Sequence, residues 1–210
     1  MNDDHIAKTI ATYNALAKDY AEKSGRYSPV RERDMFLSKL FTHAKILDAG
    51  CGPGRDSQYF SSKKLDVTGI DLSSEFIALA KQFAPKVTFS LMDLRNITFL
   101  DGSFDGIWAC ASLLHLKRDE VSEVLASFHR ILKPGGVLFV SVKEGKGEKL
   151  VHGGILRNKP RFFTYYQPNV LRALLTDADF AVEDIYTWNQ KDRWPARPNQ
   201  VWVSSFSKKK

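Results

Sequence analysis

The stretch that most constrains this chain is Ile46-Leu47-Asp48-Ala49-Gly50-Cys51-Gly52-Pro53-Gly54. A short apolar run ends in a glycine-rich turn, and a helical pattern follows. Glycine is needed where φ must be positive and where a ligand must approach the backbone closely. In an open α/β sheet such a turn lies at the carboxyl ends of the strands, where ligands bind. The spacing discriminates among ligands. A dinucleotide fingerprint needs GxGxxG, and Arg55 stands where its third glycine would fall, which counts against a nicotinamide oxidoreductase. The pattern is DxGxGxG instead. Taken alone, the turn is weak evidence, a tight strand-to-helix connection with no ligand being the alternative. With a ligand, Asp48 can meet an amino group or a ribose.

The chain around this turn alternates. Residues 1–43 read as helix, with Ile6, Ile10, Tyr13, Ala17 and Tyr20 at helical spacing, a break from Gly25 to Pro29, and a second helix through Val30, Met35, Phe36, Leu40 and Phe41. Strands are expected at 45–49, 65–70, 87–91, 104–109 and 137–142. Helices are expected at 55–63, from the cap Ser73, and at 121–132, stopped by Pro134-Gly135-Gly136. Residues 144–167 look irregular, with Gly145, Gly147, Gly153 and Gly154, and suggest a mobile substrate lid. A helix at 168–176 precedes strands at 180–187 and 200–207. Their connection is too short for a crossover helix, so this pair should be antiparallel. The expected fold is α/β: a Rossmann-like, mostly parallel sheet of seven strands, flanked by helices, in a single domain over residues 1–210 with an N-terminal helical cap.

Two further acids extend the turn. Asp71, with Leu72 after it, ends the second strand about 20 residues beyond the turn, where an acid can hold ribose hydroxyls; it could also merely cap a helix. Asp93 follows the third strand. It could accept from an adenine amino group, with Met92 and Leu94 bracketing the ring, or be a solvated loop acid. Asp48 to Gly54, Asp71, Asp93, Phe104-Asp105-Gly106-Ile107-Trp108 and Leu132-Lys133-Pro134-Gly135-Gly136 occur in register. Together they resemble the class I S-adenosylmethionine (SAM)-dependent methyltransferases. The resemblance covers residues 10–143 well and the rest loosely. It implies SAM as cofactor, a seven-stranded sheet with an antiparallel last strand, Asp71 on the ribose and Asp93 near the adenine. Gly50, Cys51 and Gly52 would supply backbone contacts. Tyr13-Asn14-Ala15-Leu16-Ala17-Lys18-Asp19-Tyr20 is similar to the first helix of small bacterial methyltransferases of the ubiquinone-biosynthesis type, in which an N-terminal aromatic covers the cofactor. Tyr20 is the candidate here, with core packing the alternative. A looser similarity, through Leu113 to Leu116 and Arg161 to Tyr166, runs to the tRNA wobble-uridine methyltransferases.

Methyl transfer needs alignment first, and a general base only where the acceptor must lose a proton. His115, just after the fourth strand, is the candidate base; it could equally hydrogen-bond the backbone and pack under the cofactor. Tyr165 and Tyr166 are candidate substrate contacts, and His152 reads as a surface residue. Cys51 and Cys110 form no CxxC pair, so no zinc site is expected; Cys51 falls in a backbone-contact slot and no His neighbours either in sequence, so covalent catalysis is not expected.

The net charge of +7 divides between a tail, Lys208 to Lys210, expected to fray, and a cluster of Lys143, Lys146, Lys149, Arg157, Lys159 and Arg161. The cluster falls in the expected lid. It favours a small anionic acceptor over RNA, which would need cations spread across a long surface. An RNA methyltransferase and a non-catalytic SAM-binding protein stay open as alternatives. The acidic start and the absence of a long apolar run point away from a signal peptide or membrane span and toward the cytoplasm.

Overall fold

The computed structural model describes residues 5–25, 27–152 and 159–210. Gly153, Gly154 and Arg157, assigned above to the lid and its cations, lie outside them, as do residues 1–4.

Five strands alternate with helices as the sequence pattern requires. β1 (Lys45–Ala49) is buried from Ile46 onward and lies in the interior of the sheet. It pairs in parallel with β2 (Asp66–Asp71) on one side and β4 (Phe104–Cys110) on the other. β3 (Thr88–Leu91) extends β2, and β5 (Leu132–Lys143) extends β4, both in parallel. Near-continuous apolar runs are the signature of strands covered on both faces. β8 (Phe180–Asn189) and β9 (Val201–Lys209) complete the order β3-β2-β1-β4-β5-β9-β8. β9 runs antiparallel to both its neighbours, so the seven strands and the reversed last strand stand as expected.

α3 (Val30–Ser38), α4 (Arg55–Ser62) and α5 (Ser74–Phe83) cover one face. There Trp108 stacks on Phe139 at 4.0 Å and meets Phe36 and Phe60 edge-on. α6 (Arg118–Ile131) and α7 (Pro168–Asp177) cover the other, packing Val124, Leu125, Phe128, Leu171 and Leu175 onto the strands. Ser73 is the cap of α5, its hydroxyl accepting from the Phe76 amide at 3.1 Å.

Five expectations are corrected. The first helix is two, α1 (His5–Ala15) and α2 (Ala17–Ser24), because Leu16 leaves helical geometry at φ −125°. α6 begins three residues early, at Arg118, with Asp119 and Glu120 in the first turn where acids favour a helix start. β5 begins at Leu132, and Pro134-Gly135-Gly136 is a register shift inside the pairing with β4 rather than a loop. The stretch read as irregular holds an antiparallel ribbon, β6 (Glu148–His152) with β7 (Pro160–Thr164). That ribbon is fastened to α1: the Phe162 amide donates to Thr9 Oγ1 at 3.0 Å, and the Thr12 hydroxyl donates to the Pro160 carbonyl at 2.7 Å. Nor does the tail fray. Lys208 and Lys209 lie in β9; Lys208 pairs with Glu183, Lys209 donates to the Leu132 carbonyl, and Lys210 pairs with Asp179.

Candidate active site

The carboxyl ends of β1, β2, β4 and β5 open on one cavity of about 780 Å³, roofed by α1, α2, the ribbon and the β8–β9 connection. The turn after β1 forms its floor. Gly50 has φ +82°, and a Cβ there would stand 2.3 Å from Ser112 Cβ, so only glycine fits. Gly52, at φ +53°, is the opposite case: a Cβ there meets nothing within 4 Å, because the space before it is open cavity. Asp71 fixes this turn. Its carboxylate accepts from the Gly52 amide at 2.9 Å and the Ser73 amide at 2.8 Å. Asp71 also lines the cavity, and a carboxylate has about four acceptor sites, more than these two amides use.

Asp48 is buried and accepts from the Ser57 hydroxyl at 2.6 Å. Burial, and then the charge of Asp56, push its carboxyl up to about 7. Asp56 itself is held well below the usual carboxylate range: burial would raise it, but Arg55 and Arg33 outweigh burial. Asp93 lies between Met92 and Leu94 on the cavity wall, its carboxylate accepting from Nε and Nη2 along one edge of the Arg95 guanidinium. Leu72, Cys51 and Tyr20 also line the cavity, as does Ser112, whose buried hydroxyl has no partner. Burial raises both thiols, Cys51 and Cys110, so neither is a thiolate near neutrality.

His115 reaches the cavity, but both its nitrogens are engaged. The Phe162 carbonyl can only accept, so Nδ1 carries the proton it donates at 2.7 Å. Nε2 then accepts from the Tyr13 hydroxyl at 2.8 Å. Burial pushes the imidazole down to about 3, which keeps it neutral. This is the backbone-bound alternative anticipated for His115, with its lone pair committed to Tyr13.

The substrate aromatics are corrected. Tyr166 is buried in the core and Tyr165 is half-buried; neither lines the cavity. Beyond Thr164 the chain has passed the cavity mouth and turned toward α6, where Arg118 donates to the Tyr165 carbonyl and lies over the Tyr166 ring. Phe163 and Arg161 face the cavity in their place, with Lys143 at the end of β5. Burial first, then the charges of Arg161, Arg197 and Lys149, bring the Lys143 ammonium down to about 8. The sequence reading missed Tyr13, Ser112 and the whole wall supplied by Tyr27 and residues 188–202.

Residues 46–136 match a family profile described as a methyltransferase domain. A malonyl-[acyl-carrier protein] O-methyltransferase of Enterobacter lignolyticus is 31% identical over 51% of this chain and 43% of its own length. The chain spans about half the length of this and similar curated relatives. A ubiquinone biosynthesis O-methyltransferase of Pseudomonas aeruginosa is 28% identical across 97% of this chain and 95% of its own. Among solved structures, the 1,6-didemethyltoxoflavin-N1-methyltransferase of Burkholderia thailandensis shares the fold with a TM-score of 0.76 at 24% identity, covering all of this chain and 91% of that one.

Proposed function

We propose that this chain, a class I methyltransferase by fold and by the domain matched over residues 46–136, transfers the methyl group of SAM to a small anionic acceptor. One observation carries the cofactor half of this reading: Asp48, Asp71 and Asp93 end successive strands on a single cavity, before the open space at Gly52 and the unpartnered Ser112 hydroxyl. In it, Asp71 holds the ribose hydroxyls, Asp93 with Met92 and Leu94 frames the adenine, Asp48 faces the amino group, and Tyr20 closes over the cofactor. SAM supplies an electrophilic methyl carbon on a sulfonium.

The acceptor half is cationic. Lys143 and Arg161 both line it. Such a pair compensates an anionic acceptor while its lone pair forms the new bond to the methyl carbon. The carbon–sulfur bond breaks with its electron pair left on sulfur; the acceptor's charge and the sulfonium's charge cancel, and no proton moves. A neutral, fully engaged His115 suits that chemistry, as a positioning residue that holds Tyr13 rather than as a base. The ribbon and α1 together act as the cap over the site. The cations gathered inside a cavity support a metabolite over RNA. Incubation with labelled SAM should move label into the small-molecule fraction of a metabolite extract. Label entering only total RNA would overturn the acceptor, and no transfer to either would leave a non-catalytic SAM-binding protein.

Asp48 gives a pH signature. Its raised carboxyl is mostly neutral at pH 6 and mostly charged at pH 8. Affinity for the cofactor's ammonium should therefore rise with pH across this window, by about tenfold at most per unit below the titration point. In Asp48→Asn, calorimetry of S-adenosylhomocysteine should show weaker binding with a flat profile between pH 6 and 8. A profile unchanged from that of the native chain would remove Asp48 from the ammonium contact.

A further inference from the structure

One wall of the cavity is aromatic. Three of the chain's four tryptophans, Trp188, Trp194 and Trp202, line it, together with Tyr27. Their rings form one continuous surface. Trp188 and Trp202 lie nearly parallel, 13° apart with centroids at 5.9 Å; Trp194 meets Trp188 at 6.0 Å and Tyr27 at 5.5 Å, both edge-on. All four are only half-buried. The indole nitrogens do not explain this placement, because two are already satisfied within the protein. Trp188 Nε1 donates to Ser204 Oγ at 2.9 Å, and Trp202 Nε1 donates to Gln190 Oε1 at 3.2 Å. What is left over is apolar ring surface, which prefers stacked or edge-on aromatic partners.

The wall is also held rigidly. Arg193, in the short helix α8 (Gln190–Arg193), grips Glu32 of α3 with two bonds of 2.7 and 2.8 Å and lies 3.9 Å over the Trp188 ring. Glu32 is fully buried, so this fork pins the β8–β9 connection to the helical layer. An immobile aromatic surface binds at low entropic cost.

Beside the wall stands Arg197, 4.1 Å over the Tyr27 ring. Its Nε is buried and has no hydrogen-bond partner, a costly state unless an acceptor arrives. The charged group it faces is another cation, Arg161, which in turn lies close to Lys143. Among the described residues no carboxylate pairs with Arg197 or Lys143. An aromatic wall and a cationic corner, in which Arg197 and Lys143 have no carboxylate partner among the described residues, thus occupy the same half of one cavity.

We propose that the acceptor is a planar aromatic acid, its ring laid on the tryptophan wall and its anionic group received by Arg197 with Lys143 and Arg161. This rests on the methyltransferase reading above and goes beyond it in naming ring and charge together. The aromatic face selects against aliphatic acids of equal charge, and the cations select against neutral arenes of equal shape.

The test is calorimetry on the protein saturated with S-adenosylhomocysteine, using benzoate, salicylate and 2-naphthoate against 2-naphthamide and cyclohexanecarboxylate. At least one aromatic carboxylate should bind tenfold or more tighter than both the amide and the saturated acid. Arg197→Gln should erase the preference over the amide, and Trp194→Leu the preference over the saturated acid, each with S-adenosylhomocysteine affinity kept within twofold. Should a variant fail to fold, the five-ligand comparison on the native chain decides by itself. Equal binding of cyclohexanecarboxylate or of the amide, or binding of no aromatic acid, overturns the proposal while the methyltransferase reading stands. Failure of S-adenosylhomocysteine to bind overturns that reading, and the acceptor class with it.

Discussion

Replacing Asp71 with alanine is expected to weaken S-adenosylhomocysteine binding by tenfold to several hundredfold. The carboxylate is committed to the Gly52 and Ser73 amides on one side and is open to the cavity on the other. Hydrogen bonds to a charged group contribute about 1.5–3 kcal/mol each, and every 1.4 kcal/mol is about a factor of ten in affinity. Loss of one such contact, or of two at the lower figure, therefore gives about the stated range. A second effect adds to it: without Asp71 the Gly52 amide loses its acceptor, and the turn that contacts the ligand loosens. Asp71→Asn separates the two, since the amide oxygen can still accept from one backbone N–H while the charge is gone. Calorimetry on both variants should show the asparagine form intermediate. An alanine variant that binds as tightly as the native chain would remove Asp71 from the ribose.

The parts of this site that the sequence declared are those built from consecutive residues. The turn from Asp48 to Gly54 carries its own geometry, and Asp71 and Asp93 follow strands whose apolar runs are unmistakable. The aromatic wall had no such signal. Trp188 and Trp194 lie in what reads as a polar loop, and Trp202 in an end strand. They reach the cavity only because β9 returns antiparallel beside β5, and because Arg193 finds Glu32 more than 150 residues earlier in the chain. The ribbon was missed for a different reason. The glycines at 145 and 147 mask the alternation that pairs Lys149 with Phe163 and Leu150 with Phe162. Parity along that ribbon then decides which aromatic faces the cavity. Arg161 and Phe163 share the cavity face, while Tyr166, three residues on and past the end of the strand, joins the core. His115 was well placed by sequence, but its role turns on Tyr13 and Phe162, two partners from distant segments.

Asp56→Ala should be the most destabilising single change behind the site. One buried carboxylate receives Arg33, Arg55 and the Trp108 indole, the last at 3.0 Å. Arg33 is itself buried, so removing Asp56 strands a charge in the interior and leaves the indole N–H without its acceptor. Breaking such a pair costs about 3–5 kcal/mol. In a chain of this size that lowers Tm by roughly 10 °C. The pH dependence has a fixed sign. Asp56 has a folded-state pKa below its unfolded value, so its contribution is fully present above about pH 4 and is lost as pH falls through the acid range toward the depressed value. Native and variant melting curves should therefore converge in acid and diverge near neutrality. Function should move the other way. Asp56 is the main charge that keeps the Asp48 carboxyl raised, and Arg33 and Arg55 would remain to lower it. The milder Asp56→Asn, which keeps an oxygen for Trp108, should ionise Asp48 at lower pH and strengthen S-adenosylhomocysteine binding at pH 6 relative to pH 8. A stability loss below 1 kcal/mol in the alanine form would contradict the buried network, and an unmoved binding profile in the asparagine form would uncouple Asp56 from Asp48.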